Sequence, residues 1–293
     1  MAKPKTVRLV FPQWQGGYDE TEYPGQIYAF GPYLLQFLAP ATDDVVREVP
    51  VPKWHEGIDT PKEGGVFYRT VIMNQMQAAR AILLEERPER VVTFGGDCLV
   101  SQPAFDYLNE LYDGEVGLLW IDAHPDVTTP RDFDHSHAMV LGNLLNDGEP
   151  EMAKMVGRHF SPSQILYVGV DNVLDHERAT MDQFGLKQVT SESVMASSAE
   201  VVAWLKETGF KRVIVHWDLD VLDPVFFRSL LFVNPDVPEP IESEHGKLRL
   251  SHVARVLRDV EAACDIVGLT ISEFMPWDAL NLKKVLAGLK ILN

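Results

Sequence analysis

The chain has 293 residues, 46% of them apolar and 24% charged, with a formal net charge of −17 at neutral pH. That length can bury a sizeable core, while the acidity, with no local basic patch, argues against nucleic acid or an anionic membrane surface as partner. No run of 18 or more apolar residues predicts a transmembrane helix, and two cysteines, Cys98 and Cys264, predict no disulfide framework and a cytoplasmic setting.

Taken in order, the pattern predicts a strand over 7–11, too short an apolar run for a secretory signal. The loop Gln13-Trp14-Gln15-Gly16-Gly17 leaves it. A helix is expected over 27–38, interrupted near its start by Gly31-Pro32, and a short strand over 44–51, closed by Pro50 and Pro52. Between 66 and 86, Phe67, Val71, Ile72, Met76, Ala79, Ile82 and Leu83 recur near helical spacing, with Pro88 beyond the end. A strand over 90–94 breaks at Gly95-Gly96, and a helix over 103–112 leads to a continuous apolar strand, 116–121. Further strands are expected over 165–170, 213–217 and 266–271. Helices follow over 199–208, over 251–263 with Ser251 as cap, and over 279–292. Residues 234–246, with Pro235, Pro238 and Pro240, read as a loop. Helices alternating with short apolar strands specify an α/β protein, a three-layer α/β/α sandwich around a mostly parallel sheet. No linker, charge block or repeat divides the chain, so a single domain over 1–293 is expected.

Four of these strands run straight into polar residues. The segments are Gly95-Gly96-Asp97-Cys98, Asp122-Ala123-His124-Pro125-Asp126, Asp218-Leu219-Asp220-Val221-Leu222-Asp223-Pro224, and Ser272-Glu273-Phe274-Met275-Pro276. In open α/β sheets, sites form outside the carboxyl ends of the strands, so the four converge on one crevice. The second segment says most. It alternates two carboxylates and an imidazole at the end of a buried strand, and such groups are costly to bury unless they are paired or hold a metal. Mixed oxygen and nitrogen donors suit Mn²⁺, Mg²⁺ or Zn²⁺. Taken alone, the segment reads equally well as a turn with two solvated aspartates. Gly95-Gly96 lacks the remainder of a dinucleotide or P-loop pattern.

Together the segments resemble the motifs of the ureohydrolases, the family of arginase, agmatinase and formimidoylglutamase. That family carries Gly-Gly-Asp-His, Asp-Ala-His-x-Asp, Asp-x-Asp-x-x-Asp-Pro and a late Glu-x-x-Pro. The last three stand intact here, and the element order agrees over nearly the whole chain. The resemblance implies an arginase-like sandwich and hydrolysis of a C–N bond in a linear guanidino or amidino compound by a metal-bound hydroxide. The implied cofactor is Mn²⁺, usually two ions, and the implied assembly is a homotrimer or homohexamer. Residue by residue, Asp122 and Asp218 would bridge the ions and His124 and Asp220 would complete one site. Asp126 would belong to the other, with Cys98 where the family has histidine. Glu273 would accept the substrate's guanidinium, for which a carboxylate is the planar partner. His137, in Ser136-His137-Ala138-Met139, would shuttle the proton, with His135 as fallback. Asp122, His137 and Glu273 would thus carry the catalysis, and Asp97 and Asp223 would orient ligands or fix turns.

The departures are specific. A thiolate at Cys98 is softer than imidazole and favours zinc, iron, nickel or cobalt over Mn²⁺, which opens a one-ion site; a small buried hydrophobe is its plainer role. Thr128 and Asp171-Asn172-Val173-Leu174 replace the groups with which arginases hold the α-carboxylate and α-amino group of L-arginine, so the substrate stays open among guanidino and amidino compounds. Two alternatives stand beside this reading: a single-metal deacetylase-like amidohydrolase, and an inactive pseudoenzyme serving as a binding or regulatory subunit. His216 is expected as a core or ligand-orienting group, and His55, His159, His176, His245 and His252 as ordinary residues. Trp14, Trp54 and Trp277 are expected to be packing, with Trp277 the best placed to line a pocket mouth.

Overall fold

The computed structural model describes residues 4–17, 28–55, 57–235 and 245–292. The chain begins with β1 (Thr6–Phe11), α1 (Gly31–Leu38) and β2 (Val45–Glu48). A small antiparallel hairpin, β3 (Lys62–Glu63) and β4 (Val66–Phe67), precedes α2 (Arg69–Glu86). Then come β5 (Arg90–Gly95), α3 (Ser101–Leu111), β6 (Gly117–Ile121), α4 (Val140–Leu144) and α5 (Pro150–Ala153). The next group is β7 (Ile165–Val168), α6 (Asp175–Phe184), β8 (Lys187–Val189), α7 (Ser191–Ala196) and α8 (Ala199–Thr208). The last is β9 (Arg212–Asp218), α9 (Leu250–Ala263), β10 (Asp265–Ser272) and α10 (Trp277–Ala287).

Eight strands form one sheet in the order β2-β1-β5-β10-β9-β6-β7-β8, with parallel pairings throughout. Its centre is buried on both faces, which is why β6 is an unbroken apolar run. Alternate side chains point to opposite sides. Leu118 and Trp120 join one core with Ile72, Met76 and Leu83 of α2 and Phe105 and Leu108 of α3. Leu119 and Ile121 join the other, with Val201, Trp204 and Leu205 of α8 and Val253, Val256 and Val260 of α9. The result is the expected three-layer α/β/α arrangement. Each such fully buried side chain contributes about 1.5–3 kcal/mol by area removed from water. Gly268 of β10 permits the close approach of α3, since a Cβ there would lie 2.6 Å from Leu108 Cδ1.

Several local expectations are corrected. α1 starts at Gly31, because Pro32 is tolerated in a first turn and Tyr28 just upstream adopts a left-handed φ of 63°; position 27 lies outside the described residues. The apolar run at 66–86 is divided. Val66 and Phe67 pair with the hairpin, Tyr68 turns the chain at φ 55°, and only then does the helix begin. Glu63 reaches back from the hairpin to accept the Thr70 backbone N–H at 2.7 Å, satisfying one of the amides that a helix start leaves open. Ser251 sits inside α9; Arg249 holds the cap position, and its N–H donates to His252 Nδ1 at 3.2 Å. β8, α6 and α7 escape the sequence reading because β8 is a short edge strand buried only at Val189 and α6 is mostly polar. Most of the expected 234–246 loop, residues 236–244, lies outside the described residues. No described helix is long and apolar enough to cross a membrane.

Candidate metal centre and active site

The four polar strand ends belong to four adjacent strands, β5, β10, β9 and β6, at the middle of the sheet. Their registers align, with Ser272 opposite Asp218 and Ile121 opposite Trp217, so the residues that follow emerge at one level. Asp122 accepts the His124 backbone N–H at 2.7 Å and the Trp120 indole N–H at 3.1 Å. His124 Nδ1 lies 2.8 Å from Asp220 Oδ2, while Asp220 Oδ1 accepts the Ala123 N–H at 3.2 Å. Asp218 accepts the Asp220 N–H at 2.7 Å on one oxygen, and on the other the Cys98 thiol at 2.6 Å and the Ser272 hydroxyl at 3.1 Å. Glu273, at φ 62°, is anchored by its N–H to the Gly96 carbonyl at 2.8 Å, and its Oε2 accepts the Tyr28 hydroxyl at 2.7 Å.

Five carboxylates, Asp122, Asp126, Asp218, Asp220 and Glu273, are thus buried around two imidazoles, His124 and His216. Burial and mutual repulsion act on them in the same direction. Asp126 and Asp218 are pushed far above the ordinary carboxylate range by desolvation first, then by their charged neighbours. Glu273 is raised to about 8 by burial and the nearby Asp220. Burial, then Asp218, also raises Cys98. Asp122 is the exception: against its own burial, the neighbouring imidazoles of His124 and His216 hold it below the usual range. Asp126 Oδ2 is buried with no hydrogen-bond partner among the described residues. A donor set this rich in carboxylate, with an orphaned oxygen in it, fits a divalent cation. Three groups of donors stand within 4.8 Å of one another: Cys98, Asp122, His216 and Asp218; Asp122, His124 and Asp220; and Asp218, Asp220 and Glu273. Asp126 is in none of these groups, although it faces the same cavity.

Comparison with known proteins agrees with this architecture. The arginase family model matches residues 45–279. The chain belongs to the arginase family. A mitochondrial arginase 1 of Arabidopsis thaliana is 25% identical over 206 residues, 70% of this chain. The match spans 53% of that relative, so the chain aligns with about half the length of the curated arginases it resembles. Among solved structures, the Entamoeba histolytica arginase in complex with L-ornithine superposes with a TM-score of 0.74 at 19% identity, over 97% of each chain. The Bacillus caldovelox arginase gives 0.75 at 19% identity, over 99% of this chain and 100% of its own. At that identity the likeness is one of fold.

In this arginase-family chain the cluster forms the floor of a cavity of about 380 Å³. Cys98, Asp122, His124, Asp126, Asp220, His137 and Glu273 all line it; Asp218 lies just beneath, fully buried. His137 Nδ1 is held 2.8 Å from the Gly16 carbonyl, and burial lowers its pKa to about 4. The alternative, His135, pairs instead with Asp134 at 2.7 Å and does not reach the cavity. Asp97 fixes the turn as expected, accepting the Leu99 and Gly16 N–H groups at 3.1 and 3.0 Å, and burial raises it to about 7. Asp223 likewise accepts the Val225 N–H at 2.8 Å. Trp277 is buried with its indole N–H on the Leu230 carbonyl, away from the cavity.

Sequence reasoning missed several wall residues: Tyr28, Phe133, Leu174, His176, Glu177 and Phe232. They come from loops and polar helix starts that carry no motif. His216 had a legible signal. It stands two residues before Asp218 on one strand, so both side chains leave the same face of the sheet.

Proposed function

We propose that the chain is a metal-dependent hydrolase that cleaves a C–N bond of a linear guanidino or amidino compound. The observation that carries this reading is the convergence of Asp122, His124, Asp218 and Asp220 beneath a cavity whose wall holds both Glu273 and His137. Asp122, His124, Asp126, Asp218, Asp220 and Cys98 are the residues that would hold the cofactor, one or two divalent ions. When bound, such an ion supplies Lewis acidity and brings the pKa of water toward neutrality.

The chain's own groups do the rest. Tyr28 holds Oε2 of Glu273, while Oε1, in only a long contact of 3.4 Å with the Cys98 thiol, would turn to the substrate's planar cation and hold it over the floor. The ionised form of Glu273 is favoured once a cation enters beside it, since opposite charge stabilises a carboxylate. His137 donates from Nδ1 to Gly16, which leaves Nε2 to take a proton and return it to the departing amine. A group whose pKa sits near 4 releases that proton readily. The wall carries no lysine or arginine among the described residues, and Asp132, His176 and Glu177 lie along it. That lining favours a guanidine or amidine without a carboxylate tail.

The test is release of urea or ammonia from a panel of guanidino and amidino compounds, with protein loaded with Mn²⁺, Co²⁺ or Zn²⁺. Turnover that disappears in Asp122→Asn and falls sharply in Glu273→Gln is expected. No turnover with any ion, from protein shown to bind that ion, would sink the proposal.

A further inference from the structure

The cluster contains a complete second kind of donor set. His216 is fully buried beside Asp218, and its Nε2 points at Asp122 Oδ2 from 3.3 Å without a hydrogen bond to any described residue. Its other nitrogen, Nδ1, sits 2.8 Å from Ser101 Oγ, and its ring stacks on Trp120 at 3.7 Å and 13°. Both constraints fix the ring plane. In the tautomer in which Ser101 accepts the Nδ1 proton, the Nε2 lone pair faces the cluster. A metal-binding histidine is typically held in this way, with its far nitrogen hydrogen-bonded and its near one free. Cys98, just past the end of β5, reaches the same group of donors, and its sulfur lies against Asp218.

We infer that Cys98, His216, Asp122 and Asp218 together bind one zinc-like ion, a sulfur, nitrogen and two-oxygen site beneath the His124–Asp220 pair. These four side chains offer donor atoms within 4.8 Å of one another. Four donors of this mixture match a closed zinc site and select zinc or cobalt over manganese. His216 then supplies, from β9, the imidazole that the β5 loop lacks. The inference rests on the proposal that a cation binds in this cluster, but not on the substrate or the reaction.

Cobalt is the probe. Full-length protein stripped with chelator is titrated with Co²⁺ and followed by absorption. The wild type is expected to show a near-ultraviolet thiolate-to-cobalt band that rises with the ligand-field bands. Cys98→Ser should lose the thiolate band. His216→Gln should keep that band, shift the ligand-field bands, and bind at least about 10-fold more weakly, since even outer partners of a ligand are worth that much. Zinc-edge X-ray absorption of the wild type needs no variant, and should find one sulfur at about 2.3 Å. Cobalt bound without a thiolate band, a zinc shell of oxygen and nitrogen alone, or a folded His216→Gln protein with unchanged affinity and spectrum would each overturn the inference. Turnover measured on the same samples separates the two claims. Activity without the thiolate band leaves the hydrolase and removes this site, and the band without activity on any guanidine does the reverse.

Discussion

Replacing Asp126 with asparagine should make the metal-free protein more stable and weaken its hold on a metal ion. Asp126 is 2% exposed, its Oδ2 has no partner among the described residues, and desolvation followed by the charge of Asp122 opposes its ionisation. Its φ of 51° is left-handed, a conformation asparagine tolerates, so the change removes charge without adding backbone strain. Each unit by which burial raises a carboxyl pKa is worth about 1.4 kcal/mol, so a neutral amide should gain at least about that much in the metal-free variant at pH 8. At roughly 2–4 °C per kcal/mol for a large domain, Tm should rise by several degrees. The sign with pH follows from the raised pKa. The carboxylic acid favours the folded state fully below the unfolded pKa near 4, and this contribution is lost as pH rises through the folded value. The gap between variant and wild type should therefore be near zero at pH 4 and widen with pH. With metal that gain is offset. A ligand at a thousandfold over its Kd stabilises by about 4 kcal/mol, and a tenfold to hundredfold loss of affinity removes about 1.4–2.7 kcal/mol of that. Calorimetric melts with chelator and with metal, at several pH values, read all three effects. A metal-free variant no more stable than the wild type at pH 8, or a gap that ignores pH, would refute the reasoning.

Three further outcomes are expected. Tyr28→Phe removes the 2.7 Å hydrogen bond that orients Glu273, and kcat/KM on the best guanidino substrate should fall about 10- to 100-fold, because a hydrogen bond to a charged group is worth about 1.5–3 kcal/mol; unchanged kinetics would remove Tyr28 from the site. Glu63→Gln should cost about 0.5–1 kcal/mol above the carboxylate range, because the Thr70 N–H holds the Glu63 pKa down, and the difference should vanish as pH falls through that lowered value. Denaturant midpoints across pH check it, and a pH-independent difference would contradict it. Gly96→Ala would place a Cβ 1.7 Å from the Gln13 carbonyl oxygen, so the loop bearing Cys98 must shift, at a cost of about 3 kcal/mol; a wild-type midpoint in urea would count against this packing.

The polar strand ends were legible because their chemistry conflicts with burial. Asp122, His124 and Asp220 follow apolar runs that only a covered sheet explains, and the sheet brings them within 4.8 Å of one another. The three-layer fold was legible for the same reason, since β5, β6 and β9 are too apolar to face water. What stayed hidden depends on backbone turns. Tyr28 and Tyr68 adopt left-handed φ without being glycine or asparagine, so nothing local announces the entry to the cavity wall or the split of the 66–86 run. His216 was read as an orienting or core group, and its period-two relation to Asp218 held the further information. The separation of His137 from His135 rests on the Gly16 carbonyl, which comes from a loop more than a hundred residues away and has no sequence signature.

The position of β10 bears on how the protein is made. It is the last of the described strands, yet it lies between β5 and β9. On the ribosome, everything before residue 265 can only form two part-sheets, β2-β1-β5 and β9-β6-β7-β8, each with a raw inner edge. Cys98 is on one part, while Asp122, His124, Asp218 and Asp220 are on the other, and Glu273 has yet to appear. The donors of β5 and β9 therefore meet in the sheet only after β10 has been made. Cation capture then waits on β10, and a nascent chain stalled before it would be prone to edge-to-edge association and to degradation.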